Sequence, residues 1–437
     1  MQLLVSPSSI DEARHSGAAD IIDVKKPSEG SLGANFPWVI REIKAFSKKP
    51  VSAAIGDFDY KPGGAALAAY GAACAGADFV KIGLAFDGQE RARDVIRAVV
   101  KTAENEYNCE VLGVRNGFDG FIQDGGVFPL DSKAVRGILP RGGTILGAAN
   151  RGNPFALKVV DSDGTVRYED TSQRVYERIH SLSLDALVVV GGDGTLHIAQ
   201  ELHEIGVPVV GVPKTIDNDI GGTDFSFGFD TAVATATEAI DKLHTTAESH
   251  HRVMVLELMG RDAGFITLYA GIAGGADVIL IPEIPFRYDA VCQKVDERVR
   301  SGSFFSIIAV SEGTSIQGQE QIFLREGDGI HQARLGGISH QVAEYIARVC
   351  DVETRVTILG HLQRGGSPTP FDRWLATRLG SEAVRAAGRG ELGSMSALQG
   401  NKVVTIPLTE ALATPKRVNV QGDTVLTARS LGISLGD

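Results

Sequence analysis

Short runs of aliphatic and β-branched residues alternate with longer helical stretches along this chain of 437 residues. Several runs are apolar at consecutive positions, which favours strands buried on both faces over half-exposed hairpin strands. The pattern predicts an α/β fold in which parallel sheets are covered by helices. In chain order the runs are QLLVS, ADIIDV, PVSAAIG, ADFVKIGL, EVLGV, DALVVVGGDG, VPVVGVP, RVMVLEL, FFSIIAV and TRVTILG.

The first ninety or so residues differ in chemistry from the rest. They are rich in small residues, as in GGAALAAYGAACAGAD, and lack the glycine and acid motifs that follow later. They hold about four strand signals, whereas a closed eightfold barrel takes about 250 residues. We therefore expect an incomplete (β/α) barrel-like segment at residues 1–88 and a larger, separate part at residues 89–437.

Composition and charge narrow the class of function. A hydrophobic content of 43% suits a soluble globular protein with two or three domains. The net charge of −11 argues against a nucleic-acid binder and favours small phosphorylated substrates. The four cysteines are scattered and form no C-x-x-C pair, which predicts a reducing cytoplasm. No apolar run is long enough to span a bilayer, so no membrane partner is expected.

A glycine-rich turn follows the apolar run in DALVVVGGDGT, residues 185–195. Glycines let backbone amides and a helix N-terminus approach phosphate oxygens. Asp193, in the middle of the turn, suits Mg²⁺, which prefers carboxylate and phosphate oxygens. A plain tight turn is the alternative interpretation.

The stretch GVPKTIDNDIGGTDFSFG, residues 211–228, adds charged chemistry at the end of another strand. Lys214 can offset phosphate charge, and Thr215 can donate a hydroxyl group. Asp217 and Asp219 are two residues apart, so one acid can bind a metal while the other accepts a proton. The alternative is that D-N-D forms a turn and caps the next helix.

Two further β-rich runs end in arginine and glycine, in SHHRVMVLELMGRDAGF (249–265) and TRVTILGHLQRGGSPTPFDR (354–373). Guanidinium groups at strand ends favour binding of a sugar phosphate. Glu312, in AVSEGT, either accepts hydrogen bonds from sugar hydroxyls or starts a helix. The four arginines concerned are Arg252, Arg261, Arg355 and Arg364.

The front of the chain resembles the (5-formylfuran-3-yl)methyl phosphate synthase family of barrel lyases over residues 1 to about 85. The resemblance rests on IIDVKKPSEGSLGANFPWVI, VSAAIGDFDYKPG and GADFVKIGL. It implies that Lys25 corresponds to the Schiff-base lysine of that family and Lys81 to a second active-site lysine. The alternative is that both are exposed lysines at strand ends.

From about residue 92 to the C-terminus, the chain resembles the 6-phosphofructokinase family. GGTILGAANRGNPF, GGDGT, PKTIDND, MGRDAGF and GHLQRGG occur in the order of that family. The resemblance implies a two-lobed phosphofructokinase fold. Its nucleotide lobe would take residues 89–228 with part of 365–415, and its sugar-phosphate lobe residues 229–364 with the C-terminus.

The same resemblance implies a reaction and the residues that perform it. ATP would phosphorylate the 1-hydroxyl of fructose 6-phosphate, with Asp217 as the base, Lys214 and Thr215 beside it, and Mg²⁺ bound at Asp193 and Asp219. The implied ATP-binding residues are Asn150, Arg151, Gly192, Asp193, Gly194 and Thr195. The implied sugar-phosphate residues are Thr215, Asp217, Arg252, Met259, Gly260, Arg261, Glu312, Arg355, His361 and Arg364.

Arg252 and Arg355 match arginines that the family supplies from a neighbouring subunit, which implies a homo-oligomer, either a dimer or a tetramer.

The two residues that mark the phosphate donor in this family indicate different donors here. Pyrophosphate users of the family carry Asp and Lys at the positions of Gly194 and Lys214, and many nucleotide users carry two glycines. We expect Gly194 to decide for ATP, with pyrophosphate as the second candidate.

One family feature is missing from the sequence. The GGD-x-P-G turn that normally opens the family's fold is absent, and Asp87, Gly88 and Gln89 stand in its position. The strand FVKIGLAF is expected to replace the missing first strand. Three functions stay open: a kinase, a weak or inactive protein that binds sugar phosphate, and an N-terminal lyase acting through Lys25.

Overall fold

The computed structural model describes residues 92–148, 152–160, 164–319, 321, 323–325 and 334–437, with short segments at 4–5, 21–24, 43–44, 51–53 and 81–86. Several residues of the sequence predictions lie outside the described residues: Lys25, Asp87, Gly88, Gln89, Asn150 and Arg151. Lys81 is described by its backbone, as the first residue of a strand.

The strands, in chain order, are β1 (Leu4–Val5), β2 (Ile21–Val24), β3 (Val51–Ala53), β4 (Lys81–Phe86), β5 (Glu110–Val114), β6 (Val127–Pro129), β7 (Leu157–Val160), β8 (Val166–Glu169), β9 (Ala186–Gly191), β10 (Val209–Thr215), β11 (Phe227–Gly228), β12 (Val253–Leu258), β13 (Val278–Leu280), β14 (Ser306–Ser311), β15 (Phe323–Arg325), β16 (Arg334–Leu335), β17 (Thr354–Ile358), β18 (Ser394–Gln399) and β19 (Lys402–Pro407).

The helices are α1 (Arg93–Tyr107), α2 (Ser172–Ser181), α3 (Asp193–Glu204), α4 (Phe229–His250), α5 (Phe265–Ala273), α6 (Tyr288–Arg300), α7 (Ile338–Cys350), α8 (Pro370–Gly388), α9 (Leu408–Ala411) and α10 (Asp423–Ser430). Short 3-10 helices occur at Gly117–Phe121 and Gly360–Arg364. Within the described residues, no helix combines the length and the apolar character needed to cross a bilayer.

All ten apolar runs of the sequence contain a strand, namely β1 to β5, β9, β10, β12, β14 and β17. Every residue of β9, β10, β12 and β14 is buried, which confirms that they are covered on both faces. The sequence pattern does not predict β18, because SMSALQ has small and polar residues. Pairing with β10 on one side and β19 on the other holds it in the sheet.

The chain divides into two compact units. Unit 1 comprises Met1–Lys214, Ile220–Phe225 and Arg373–Thr414. Unit 2 comprises Thr215–Asp219, Ser226–Asp372 and Pro415–Asp437.

Unit 1 holds a sheet with the strand order β19-β18-β10-β9-β4-β5-β6. Strand β4 runs parallel to both of its neighbours, with Ile82 opposite Ala186 on β9 and Val111 on β5. This pairing confirms that FVKIGLAF supplies a central strand of the sheet. A side chain at Gly83 would meet Leu184 Cδ1 at 2.7 Å, so glycine permits the close packing at this position.

The first three strands form a sheet of their own, with the parallel order β1-β2-β3. Strand β4 is hydrogen bonded along both edges to β5 and β9 and is therefore not a member of that sheet. The barrel-like segment expected at residues 1–88 is described in these four strands and at residues 43–44.

Unit 2 is built on the parallel sheet β13-β14-β12-β17. Alternate residues of β12, such as Val253 and Val255, join a core with α6 and α7 on one face. Helices α4 and α5 pack against β12, β13 and β14 as well. The carboxyl ends of parallel strands meet at one edge of a sheet, which brings the turns after β12, β14 and β17 together.

Candidate active site

The turn that follows β10 is held by its own side chains. Thr215 Oγ1 accepts a hydrogen bond from the Asp217 amide at 3.1 Å. Asn218 has a left-handed backbone with φ 55°, which asparagine tolerates well, and its Oδ1 accepts from the Ser226 amide at 3.0 Å. The Ser226 hydroxyl donates to the Thr215 carbonyl at 3.0 Å. These bonds fix the direction of the Asp217 side chain.

Asp217 is a buried carboxyl group with a shifted affinity for protons. Asp217 is only 7% exposed, and no described residue forms a hydrogen bond with its Oδ1. Burial raises the pKa of Asp217 to about 7, and the Asp219 carboxylate adds to this rise. Arg364 and Arg261 lower the same pKa, and Glu312 raises it. A carboxyl group with this pKa can accept a proton near neutral pH.

The turn after β12 carries Met259, Gly260 and Arg261. Gly260 has φ 146°, and a Cβ there would lie 2.6 Å from the Ala263 carbonyl oxygen. Arg261 is exposed and has a left-handed backbone with φ 51°, and its amide donates to Glu312 Oε1 at 3.3 Å. Burial raises the pKa of Glu312, whereas the amides of Arg261 and Gly260 lower it. The Glu312 carboxyl group thus binds the turn that presents Arg261.

The 3-10 helix Gly360–Arg364 follows β17 by one residue and carries His361 and Arg364. His361 is exposed, and Arg364 is half-buried and acts on the pKa of Asp217. Gln363, between them, is completely buried, and its Oε1 accepts from the Met259 amide at 2.8 Å. Nothing in the sequence pattern marks Gln363, because its partner lies 104 residues away.

Of the four arginines predicted to bind phosphate, the structure brings Arg261 and Arg364 to Asp217. Arg252 and Arg355 lie at the opposite end of β12, around Glu353, to which Arg252 Nε is 3.0 Å distant. Strand β12 has six residues at about 3.3 Å each, so the two ends of the strand are about 20 Å apart. Within one chain, Arg252 and Arg355 are therefore separate from the Asp217 site.

Buried acids that the sequence pattern does not single out hold the helices of unit 2. Glu257 Oε2 accepts from the Ser339 amide at 3.2 Å, at the start of α7. Asp372 Oδ2 accepts from the Thr231 amide at 2.8 Å, in the first turn of α4. Carboxylates at helix N-termini satisfy amides that have no partner within the helix. Both contacts link segments that are far apart in sequence, so local patterns carry no sign of them.

In unit 1, the glycine-rich turn leads from β9 directly into α3. Gly192 precedes the helix, and Asp193 is its first residue, half-exposed, with Oδ1 at 3.4 Å from His197 Nδ1. A Cβ at Gly191 would lie 2.3 Å from the Thr195 Cβ, whereas a Cβ at Gly194 would meet nothing within 4 Å. The space beside Gly194 is open, and the N-terminus of α3 is suited to phosphate oxygens.

Lys214 and Asp219 stand on either side of the Asp217 turn in sequence. Lys214 is buried at 6% exposure near the end of β10, and Asp219 is half-buried, with its carbonyl accepting from the Lys416 amide at 2.7 Å. In the described part of the chain, no group of three or more His, Cys, Asp or Glu side chains is arranged to hold a metal ion. The carboxylates of Asp193 and Asp219 nevertheless have the oxygen chemistry that Mg²⁺ prefers.

Comparison with known families gives two matches. A family model described as phosphofructokinase matches residues 93–387, and one described as 4-HFC-P synthase matches residues 3–117. Both families agree with the resemblances found in the sequence, and the 4-HFC-P synthase match extends past residue 85 to residue 117. They overlap at residues 93–117, within α1, β5 and the turn after β5.

Relatives of known function match most of the chain. An ATP-dependent 6-phosphofructokinase of Chloroflexus aurantiacus is 52% identical over 343 residues, which is 78% of this chain and 93% of the relative. A pyrophosphate–fructose 6-phosphate 1-phosphotransferase of Streptomyces coelicolor is 47% identical over 327 residues, 74% of this chain and 92% of the relative.

Among solved structures, the phosphofructokinase of Pichia pastoris in the T-state aligns with a TM-score of 0.66 and 27% identity. The alignment covers 80% of this chain and 38% of the Pichia pastoris chain. The shared fold agrees with the two-lobed α/β architecture that the motifs imply.

Proposed function

The chain belongs to the phosphofructokinase family, and from this premise we propose that it transfers a phosphoryl group from ATP to the 1-hydroxyl of fructose 6-phosphate, giving fructose 1,6-bisphosphate. The observation that carries the proposal is the Asp217 carboxyl group, buried beside Arg261 and Arg364. The Chloroflexus aurantiacus relative is named for this reaction, which supports the proposal.

In the proposed reaction, Asp217 removes the proton of the sugar hydroxyl as that oxygen attacks the terminal phosphorus of ATP. The bond from this phosphorus to the oxygen that bridges it to the β-phosphate breaks, and ADP leaves. Phosphoryl transfer depends mainly on positioning and on neutralisation of charge. Arg261 and Arg364 supply positive charge for the 6-phosphate, and Glu312 accepts hydrogen bonds from the sugar. The remaining groups proposed to hold the sugar phosphate are Thr215, Met259, Gly260 and His361.

We propose that unit 1 binds ATP. Asp193, Gly194 and Thr195, at the N-terminus of α3, are suited to the phosphates, and the open space beside Gly194 leaves room for them. Gly192 belongs to the same turn, and Lys214 offsets phosphate charge. Asn150 and Arg151 stay predictions. Mg²⁺ would neutralise charge on the transferred phosphoryl group, and Asp193 would supply a carboxylate oxygen for it in unit 1. Asp219 stays a prediction as a Mg²⁺ ligand.

We also propose a homo-oligomer, a dimer or a tetramer, working in the cytoplasm. Arg252 and Arg355 lie at the far end of β12 from Arg261, so their use in sugar-phosphate binding requires a neighbouring copy of the chain. Light scattering on the purified protein tests the oligomer. A monomer that is fully active would contradict it.

Pyrophosphate is the second candidate donor, because Lys214 matches the pyrophosphate users and the Streptomyces coelicolor relative is named for that donor. A coupled assay for fructose 1,6-bisphosphate on the intact chain distinguishes the donors. Turnover with ATP and none with pyrophosphate is the expected result. Binding of fructose 6-phosphate without product from either donor would instead indicate a sugar-phosphate-binding protein without catalysis.

A further inference from the structure

The short 3-10 helix after β17 separates its side chains sharply between solvent and interior. His361 and Leu362 are exposed, Leu362 at 69%, whereas Gln363 is 0% exposed. Burying an amide side chain is unfavourable unless it forms hydrogen bonds. Because Gln363 is completely buried, its side-chain amide needs a specific hydrogen-bond partner inside unit 2.

That partner is the backbone of the turn after β12. The Met259 amide donates to Gln363 Oε1 at 2.8 Å. Met259 is followed by Gly260 and Arg261, whose φ values of 146° and 51° make a conformation that most residues avoid. A backbone of this kind persists only where its surroundings hold it in place.

A second bond fixes the same turn from its other side. The Arg261 amide donates to Glu312 Oε1 at 3.3 Å, while the Glu312 amide donates to the Leu258 carbonyl at 2.9 Å. The turn is thus held between the end of β14 and the 3-10 helix. On the side of the 3-10 helix, the turn is held by the hydrogen bond from the Met259 amide to Gln363. Gln363 immediately precedes Arg364 in the chain.

We propose that Gln363 is a positioning residue for the sugar phosphate: through its bond to Met259 it sets the separation between Arg261 and Arg364. Gln363 is buried beneath the turn and acts through these neighbours. This inference rests on the proposed function, because it concerns the site that would hold fructose 6-phosphate.

Two variants test the proposal. Gln363→Met removes the acceptor at a similar side-chain size, and Gln363→Asn keeps an uncharged amide oxygen for the Met259 amide on a shorter side chain. We expect Gln363→Met to raise the KM for fructose 6-phosphate by about tenfold, the usual effect of one buried hydrogen bond. The KM for ATP should stay within about twofold of the wild type, and Gln363→Asn should recover part of the affinity for the sugar phosphate.

An unchanged KM for fructose 6-phosphate in Gln363→Met would overturn the inference, and so would an equal rise in both KM values, which indicates general damage to the fold. A wild-type chain that phosphorylates nothing would count against the proposed function alone. Hydrogen exchange of the wild type tests the bond between Met259 and Gln363 independently of activity. It also serves if the Gln363→Met variant does not fold. A Met259 amide as protected as that of Leu256 supports the link, and one that exchanges like an exposed amide overturns it.

Discussion

Asp217 is an acid whose surroundings, rather than its residue type, fit it for accepting a proton. The Thr215 and Asn218 side chains hold the turn. Burial, together with the charge of Asp219, raises the pKa of Asp217 to about 7. The sequence indicates Asp217 through the spacing in TIDND. Arg261 and Arg364 lower this pKa and Glu312 raises it, and these three residues follow other strands.

Replacing Asp217 should therefore remove the proton acceptor without removing the groups that bind the sugar. We expect Asp217→Ala to lower kcat by roughly a hundred- to ten-thousandfold, with binding of fructose 6-phosphate less affected. Steady-state kinetics and calorimetric titration measure the two effects. Asp241→Ala, at an exposed acid of α4, is the control and should keep full activity. A fully active Asp217→Ala variant would exclude Asp217 as the base.

The pH dependence of the reaction follows from the same carboxyl group. Because the base must be ionised, kcat/KM should fall about tenfold per pH unit below a midpoint near the Asp217 pKa of about 7. Asp219 raises that pKa and Arg364 lowers it. Asp219→Asn should accordingly move the acid limb to lower pH and Arg364→Met to higher pH. Identical profiles in all three proteins would refute the coupling between these groups.

We expect Gly194 to decide the phosphate donor through the space beside it. An aspartate there has room, since a Cβ meets no atom within 4 Å, so the fold should tolerate it. Its charge would repel the nucleotide, and like charges placed together cost several kcal/mol. We expect Gly194→Asp to raise the KM for ATP by about a hundredfold or more at an unchanged melting temperature. Gly194→Ala, uncharged, should lose much less. Equal ATP kinetics in the two variants would contradict a role for charge.

At the scale of elements, β4 is the feature that joins the two parts of the chain. The sequence assigns ADFVKIGL to the barrel-like segment by resemblance, yet the strand is hydrogen bonded to β5 and β9. A strand buried between two others satisfies backbone groups on both of them. The sheet of unit 1 therefore depends on residues that precede the phosphofructokinase match at 93–387.

Truncation tests this dependence. A chain that starts at Ala92 lacks β4 and exposes the facing edges of β5 and β9, so we expect it to aggregate or to unfold without a cooperative transition. A chain that starts at residue 76 keeps β4 and omits β1 to β3, and it should retain cooperative unfolding. Thermal denaturation and size-exclusion chromatography compare the two. A monodisperse, active protein starting at Ala92 would show that β4 is dispensable.

At the scale of the whole molecule, the strands of the barrel-like segment belong to two different sheets. The resemblance to barrel lyases gives roles to Lys25, which directly follows β2, and to Lys81, the first residue of β4. In a closed barrel, both strands belong to one sheet. Here β2 pairs with β1 and β3, whereas β4 belongs to the sheet of unit 1.

We therefore expect no lyase chemistry from the N-terminal segment. Borohydride treatment of the intact chain with glyceraldehyde 3-phosphate should trap no adduct at Lys25, because β2 and β4, the strands next to the two lysines, belong to different sheets. Peptide mass spectrometry measures the adduct. An adduct in the wild type that is absent from Lys25→Ala would establish the lyase instead.

The sequence by itself determined the α/β class, ten of the nineteen described strands and the positions of Asp193, Asp217, Arg261 and Arg364. These signals are local: apolar runs that must be buried on both faces, and glycines and acids within a few residues of a strand end. These signals can be recognised in the sequence because strand periodicity and turn chemistry act over short distances along the chain.

The tertiary structure decided what depends on contacts between distant segments. It placed β4 between β5 and β9, separated Arg252 and Arg355 from Arg261, and buried Gln363 against the Met259 amide. A hydrogen bond between residues 104 positions apart leaves no pattern in either local stretch. Burial and neighbouring charge, which set the pKa of Asp217, exist only once the strands that carry those groups have packed together.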